Sequence, residues 1–325
     1  MQVGWFVRSG AVTEPAVRPF RFGVQLSGPP DARRWVEQAR RIEDLGYSTV
    51  TMPDHFTDQL APVPALMAVA DATSTVRIGA LVFDNDYKHP VVLAKELATM
   101  DVLSGGRVEI GLGAGWMESD YRAAGLPYDR PGVRIDRFVE GLAVIKGALA
   151  QGPFSFSGEH YTITGYDGQP LPVQRPHPPM LIGGGGPRVL GVAAREADIV
   201  GINGTLAAGV VGPEAIATMT REAVEERVRH VREVAADRIT EIELNIRVFF
   251  TSVTDDRAGT VAAVAGAIGV EPAMIEASPF ALIGGVEEII ETVRRRREEL
   301  GFSYLIVGGD DIEPFAPVVA ALAGT

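Results

Sequence analysis

From Phe20 onward the sequence alternates short apolar or β-branched runs with longer runs whose apolar residues recur at helical spacing, and this alternation limits the possible folds more than any other feature. Phe20 to Leu26, Ser48 to Met52, Arg77 to Val82, Val108 to Leu112, Met180 to Ile182, Asp198 to Ile202, Glu243 to Thr251 and Tyr304 to Val307 read as strands. Helical faces lie between them. Trp35, Ala39, Ile42 and Leu45 follow Asp31 and stop at Gly46, and a helix is expected around Pro64 to Thr73. Leu93, Leu97 and Met100 share a face, as do Ile135, Phe138, Leu142, Ile145 and Leu149. Further helices are expected over Pro213 to Asp237, over Val286 to Leu300 and in a short segment closing at Thr325. Strand followed by helix at this pitch means parallel pairing through right-handed crossovers. Eight strands suffice to close a barrel, so the expected fold is α/β: a single (β/α)8 TIM barrel with insertions at its C-terminal mouth.

A length of 325 residues suits one such barrel. Residues 1–19, with Pro15 and Pro19, read as an extension before the barrel of residues 20–325. The rhythm fails over residues 151–179, read as an inserted hairpin and loop over the mouth, and again over residues 252–283, which carry an irregular helical stretch from Asp256 to Ile275. Both insertions are expected to shape the substrate pocket.

Composition removes several functions. With 42 acidic against 30 basic residues the formal charge is −12, which argues against nucleic acid or an anionic membrane as partner. No cysteine is present, so disulfides, thiolate nucleophiles and thiolate metal sites are excluded. His89, His160, His177 and His230 show no zinc-ligand spacing, and no Gly-x-Ser-x-Gly elbow occurs. Lys88 is the one lysine near an expected strand end, poor support for Schiff-base chemistry. The Arg294 to Arg297 run, flanked by glutamates, reads as a solvated helix face. The apolar run at the N-terminus is too short for a signal peptide, and no stretch reaches membrane-spanning length, so a soluble, cytoplasmic protein is expected.

The strongest ligand signal is Met180 to Asp198. Three apolar residues lead into Gly183, Gly184, Gly185 and Gly186, then Pro187, then a helix with Val189, Leu190, Ala193 and Ala197 on one face. Bare backbone ahead of a helix N-terminus is built for an anion, a phosphate above all. The bland alternative is a tightly packed turn. No Gly-x-Gly-x-x-Gly can be completed here, and no Gly-Lys-Ser/Thr follows.

In a parallel barrel the chemistry lies just after the strand C-termini. That rule selects Gln25 to Gly28, Asp54 and His55, Phe83 to Lys88, Gly113 to Asp120, Gly183 to Arg188, Asn203 and Gly308 to Asp311. His55 can exchange a proton near neutral pH, with the neighbouring carboxylate of Asp54 available to fix its tautomer. The stretch Gly111 to Asp120 sets glycines, Trp116, Glu118 and Asp120 on the rim, where Glu118 or Asp120 could act as acid or anchor. Taken singly, each carboxylate there is more simply a solvated rim group.

The segments GYSTVTMPDHF, RIGALVFDNDYKHPVVLAKELATMDVLSGGRVEIGLGAGW, PPMLIGGGGPRVLGVAAREAD and IGGVEEIIETVRRRREELGFSYLIV together resemble the bacterial luciferase-like monooxygenase superfamily, in order over about residues 20 to 310. The resemblance implies an oxidoreductase using reduced FMN with oxygen or the deazaflavin coenzyme F420, and the chain looks closer to the F420-dependent branch. It implies a coenzyme seat at Asp54, His55, Leu81, Val82, Ala114, Gly115, Ser119, Gly183, Gly184, Gly185, Gly186 and Pro187, with His55 and Glu118 as catalytic groups and no metal. It also implies a non-proline cis peptide at Leu81–Val82 and a homodimer acting on a small molecule. Where sugar-phosphate dehydrogenases of that branch carry a glutamate after the fourth-strand glycines, this chain has Trp116, which argues against a sugar phosphate. A second enzyme reading is an FMN-dependent two-component monooxygenase, and a third, a non-catalytic flavin-binding barrel.

Overall fold

The structure, a computed structural model, describes residues 17–28, 31–206, 209 and 213–325, so most of the expected N-terminal extension lies outside the described residues. Its strands are β1 (Arg21–Gln25), β2 (Thr49–Met52), β3 (Arg77–Ala80), β4 (Phe83–Asp84), β5 (Ile110–Gly113), β6 (Phe154–Ser157), β7 (Thr162–Tyr166), β8 (Met180–Gly184), β9 (Ile199–Ile202), β10 (Glu243–Arg247), β11 (Phe250–Val253), β12 (Ala281–Gly284) and β13 (Phe302–Gly308). Nine of them form one parallel sheet in the order β3-β2-β1-β13-β10-β9-β8-β5-β4. A parallel bridge between Ile78 and Val108 brings β3 beside the segment entering β5, and the sheet curls into a nearly closed barrel.

The nine strands occupy eight barrel positions, because β3 and β4 are successive parts of the expected strand Arg77 to Val82. They are separated at the Leu81–Val82 peptide, which is cis as the resemblance implied. Gln25 Nε2 donates to the Leu81 carbonyl at 3.0 Å and occupies the oxygen that leaves the ladder there.

Alternation along the strands sorts the core into two parts. Leu305 and Val307 belong to the large shell between barrel and helices. Tyr304 and Ile306, on the other face of β13, join Leu181 and Ile199 in a small lumen cluster packed by Leu81 and Val82. Helix 32–44 shows how the shell is pinned: Asp31 accepts from the Arg33 amide as N-cap, and buried Trp35 donates its Nε1 proton to the Ala65 carbonyl at 2.9 Å.

Three expectations need correction. The run Glu243 to Thr251 is not one strand. β10 ends at Arg247, the amides of Phe249 and Phe250 turn to the Phe280 carbonyl, and β11 then pairs in parallel with β12 as a separate two-stranded sheet. The helix expected over Pro213 to Asp237 is two, Pro213–Ala217 and Arg221–Ala235, with Thr220 capping the second through the Ala223 amide. The 151–179 insertion does contain a hairpin, β6 with β7, but it does not lie over the mouth. It packs along helix 131–149, where Phe154 abuts Gly147 and the Glu140 carboxylate takes the amides of Glu159, His160 and Tyr161. No described helix is long and apolar enough to cross a membrane.

Candidate active site

The C-terminal ends of the barrel strands surround a cavity of about 260 Å³. Its wall takes Asp54 and His55 from the end of β2, Leu81, Val82 and Asp84 from the broken third position, and Gly113 to Trp116 from the end of β5. Gly183 to Gly186, Asn203 to Leu206, Asn245 and Arg247 complete the far side, and Pro131, Arg134 and Ile135 enter from the start of helix 131–149. Neither insertion contributes a lining residue to this cavity among those described. The hairpin runs down the outside of the barrel, and residues 250–284 form their own small sheet with its helices.

His55 is held by Asp120, not by Asp54. Its Nδ1 lies 2.7 Å from Asp120 Oδ2, and the same oxygen accepts from the Tyr87 hydroxyl at 3.1 Å. A carboxylate oxygen accepts, so the bonded Nδ1 carries the proton and Nε2 is left as the ring's free acceptor. Trp116 meets the imidazole edge-on, with ring centroids 5.5 Å apart and planes at 90°. Asp54 instead accepts from the Asp84 amide at 3.2 Å, which ties the end of β2 to β4, and burial raises its pKa.

A second acidic group adjoins the cavity. Buried Asp84 and Asp86 share the Tyr121 hydroxyl, at 3.2 and 3.0 Å, and Asp86 is also paired with Arg137 at 2.9 Å. Asp84 has no ion-pair partner among the described residues, and burial, reinforced by the Asp86 carboxylate, pushes its pKa up to about 7. Gly115 seals this pair: its φ is +76°, and a Cβ there would sit 1.9 Å from the Tyr121 hydroxyl.

The pH consequence follows from linkage. Because the folded state holds the Asp84 proton more tightly than the unfolded chain, its stabilising contribution is complete below about pH 4. It is gone once the pH passes the folded value of about 7. Asp84→Asn should therefore gain stability relative to wild type between pH 5 and pH 8, on the order of 2 kcal/mol. Urea midpoints at the two pH values measure this, and a difference independent of pH would contradict it.

The glycine turn answers both readings of it. Gly184 and Gly185 are packing glycines, since a Cβ would meet Val189 at 2.7 Å and the Gly204 carbonyl at 2.2 Å. Gly186 faces open space at φ −90°, ψ 148° and starts helix 187–196, with Pro187 in its first turn. Arg227 Nε donates to the Gly185 carbonyl at 2.8 Å and Thr205 approaches it at 3.4 Å. A trans peptide points its N–H opposite its C=O, so the Gly186 amide faces away from Arg227. Arg188 points outward and pairs with Asp136. On helix 131–149, buried Arg134 leaves its Nε without a partner among the described residues, while its guanidinium lies 4.3 Å above the Tyr128 ring.

Residues 1–279 match the profile of the family described as luciferase-like monooxygenase. The chain belongs to that family. Relatives of this chain divide between two coenzymes. The FMNH2-dependent dimethylsulfone monooxygenase of Pseudomonas putida is 33% identical over 143 residues, covering 44% of this chain and 39% of that protein. The F420-dependent glucose-6-phosphate dehydrogenase of Amycolatopsis mediterranei (strain U-32) is 31% identical over 193 residues, 55% of each chain. The chain thus spans about half the length of these relatives, or less. Among solved structures, the coenzyme F420-dependent tetrahydromethanopterin reductase from Methanopyrus kandleri has the same fold, with a TM-score of 0.76 at 20% identity over 94% of this chain and 99% of that one.

Of the residues singled out for this site, Asp54, His55, Leu81, Val82, Ala114, Gly115 and Gly183 to Gly186 meet in one cavity. Glu118, Ser119 and Pro187 are not among its lining residues. Glu118 pairs with Arg122 one turn along its helix, and Ser119 is exposed beside it. Asp120, on the opposite face of that helix, turns inward. Helical position separates the two acids: Glu118, the one named as a catalytic group, faces Arg122, and Asp120 is the one beside His55. Arg134, Asn245 and Arg247 were missed. Arg247 was hidden because the seventh strand was taken to continue to Thr251, which moved the expected rim four residues beyond it.

Proposed function

We propose that this chain is an F420-dependent oxidoreductase that exchanges a hydride with a small organic substrate at the barrel mouth. The His55–Asp120 pair carries the reading, because hydride exchange at carbon leaves a proton to be moved, and Nε2 of a ring anchored through Nδ1 is a group able to move it. The residues suit the coenzyme. Gly186, where an added Cβ would meet nothing within 4 Å, offers its amide and the positive end of the helix behind it to a phosphate, and the Arg134 Nε, without a partner among the described residues, supplies a further donor. Leu81, Val82 and Ala114 line an apolar flank for a flat ring, and Trp116 shields the imidazole from water. When bound, the coenzyme would supply or accept the hydride. His55 would then give or take the matching proton at the substrate's heteroatom, with Asp120 and Tyr87 keeping the ring in place.

The FMN-dependent monooxygenase remains the second reading, favoured by the 33% identity to an FMNH2-dependent enzyme. Titration of the purified protein with each coenzyme separates the two. Binding of F420 with little response to FMN is expected, and nanomolar FMN binding without response to F420 reverses the order. Gly186→Asp tests the phosphate seat. Its backbone angles suit any residue, so the fold should hold, while the new carboxylate should weaken coenzyme binding by about 2–3 kcal/mol, roughly 30- to 150-fold in Kd. Unchanged affinity in that variant would move the phosphate elsewhere.

A further inference from the structure

Arginines inside this barrel are in general compensated. Arg21 meets Glu109 and Glu243, Arg77 meets Glu109, and Arg137 meets Asp86 and Asp129. Others, such as Arg107 and Arg296, give their donors to backbone carbonyls and lie away from the strand ends that line this cavity. Arg247 fits neither pattern. It stands at the end of β10 on the cavity wall, and no carboxylate lies within ion-pair distance of it among the described residues. Its Nε donates to Gln25 Oε1 at 2.9 Å, and its Nη1 is directed to the carbonyls of Val248 and Ile306. Nη2 makes no hydrogen bond among those of the described residues. Burial pushes the guanidinium pKa down to about 10, opposed by the charge of Asp311, and at neutral pH the cation is still fully formed. A buried cation on the wall of a ligand cavity, with its nearest acid Asp311 beyond ion-pair distance, is costly unless the ligand brings a closer counter-charge.

We propose that Arg247 is the substrate-recognition cation of this enzyme, and that the substrate carries a carboxylate or comparable oxyanion. This rests on the oxidoreductase reading above. The residue is well placed for it, because Gln25 accepts from Arg247 and donates on to the Leu81 carbonyl, so the guanidinium is fixed relative to the wall where the coenzyme ring is expected. Gly186 follows β8, two barrel positions from the end of β10, and with Arg134 is left to the coenzyme phosphate. Arg247 therefore sorts substrates by charge: it favours an anion over its neutral isostere because the neutral molecule leaves the guanidinium unpaired.

The test uses the full chain, with and without coenzyme, and isosteric probe pairs: benzoate against benzamide, and cyclohexanecarboxylate against its amide. Calorimetric titration at fixed ionic strength gives their affinities for the wild type, Arg247→Gln and Arg247→Lys. The acids should bind the wild type at least tenfold more tightly than the amides. Arg247→Gln should lose that preference, Arg247→Lys should keep part of it, and coenzyme affinity should stay within a few-fold in all three. Equal binding of acid and amide by the wild type overturns the proposal, as does an undiminished preference in Arg247→Gln. A collapse of coenzyme affinity in Arg247→Gln with the acid preference intact also overturns it and makes Arg247 a coenzyme ligand. Failure of the wild type to bind either coenzyme counts against the proposed function alone, since the acid preference is also read in coenzyme-free protein.

Discussion

Replacing His55 by alanine lowers turnover by about 10²- to 10⁴-fold and leaves coenzyme affinity within a few-fold, the range expected when a positioned proton-transfer group is removed. The split follows from where the contacts are. The anion-seeking amides and Arg134 lie at Gly186 and helix 131–149, across the cavity from the imidazole, so removing the ring takes away no phosphate contact. Asp120→Asn keeps a hydrogen-bonding side chain but offers its amide as a donor, which favours the wrong tautomer. It should cost less than removal of the ring and more than Tyr87→Phe, which deletes one of two bonds to the carboxylate. Stopped-flow measurement of coenzyme oxidation or reduction, with coenzyme affinity measured separately, resolves the two effects, and added imidazole should restore part of the rate to His55→Ala. An unchanged rate would take His55 out of the chemistry. A parallel loss of coenzyme binding would make it a seat for the ring rather than a proton carrier.

The ranking of these residues shows what kind of information the sequence carried. Period and punctuation are local, so the barrel positions and the glycine turn before Pro187 could be read directly, and the rule that sites follow strand ends then found His55, Asp84 and Asp120. The identity of the imidazole's partner is not local. Asp54 is adjacent in sequence, yet its side chain turns to the Asp84 amide, and Asp120 reaches the ring only because a short helix, Glu118–Ala124, follows the β5 rim. The end of β10 failed for a related reason. Val248, Phe249 and Phe250 continue the apolar pattern, but only Val248 still bonds to the barrel neighbour β13, at Ile306; the amides of Phe249 and Phe250 go to Phe280, and no periodicity distinguishes one acceptor from another. The hairpin was legible as a hairpin, but its position depends on Glu140 capping three amides about twenty residues away.

At the opposite end of the barrel, Glu109→Gln should cost about 3 kcal/mol or more of stability without altering the cavity, by removing one member of a buried charge network. Glu109 is 5% exposed and accepts from Arg21 Nη1 at 2.5 Å and from Arg77 Nε at 2.8 Å, while Glu243 grips Arg21 through both oxygens. The Arg21 guanidinium also lies 3.6 Å from the centre of the Tyr304 ring, so this network plugs the lumen below the Leu181, Ile199 and Ile306 layer. Two cations depend on Glu109. With a neutral side chain there, Arg21 keeps one carboxylate and Arg77 keeps only the Val108 carbonyl and Gln174. The solvent-exposed pair Arg41–Glu313 is the control: Glu313→Gln should barely move the urea midpoint, because water already screens those charges. High salt should narrow any difference in the exposed pair and leave the Glu109→Gln loss largely intact, since ions do not reach the lumen. A Glu109→Gln midpoint equal to wild type would mean the lumen floor is held by packing alone. If Glu109→Gln loses stability and turnover together, the floor and the mouth are coupled through the strands. Separate effects would leave the two ends of the barrel energetically independent, as expected where charge network and coenzyme seat share no side chain.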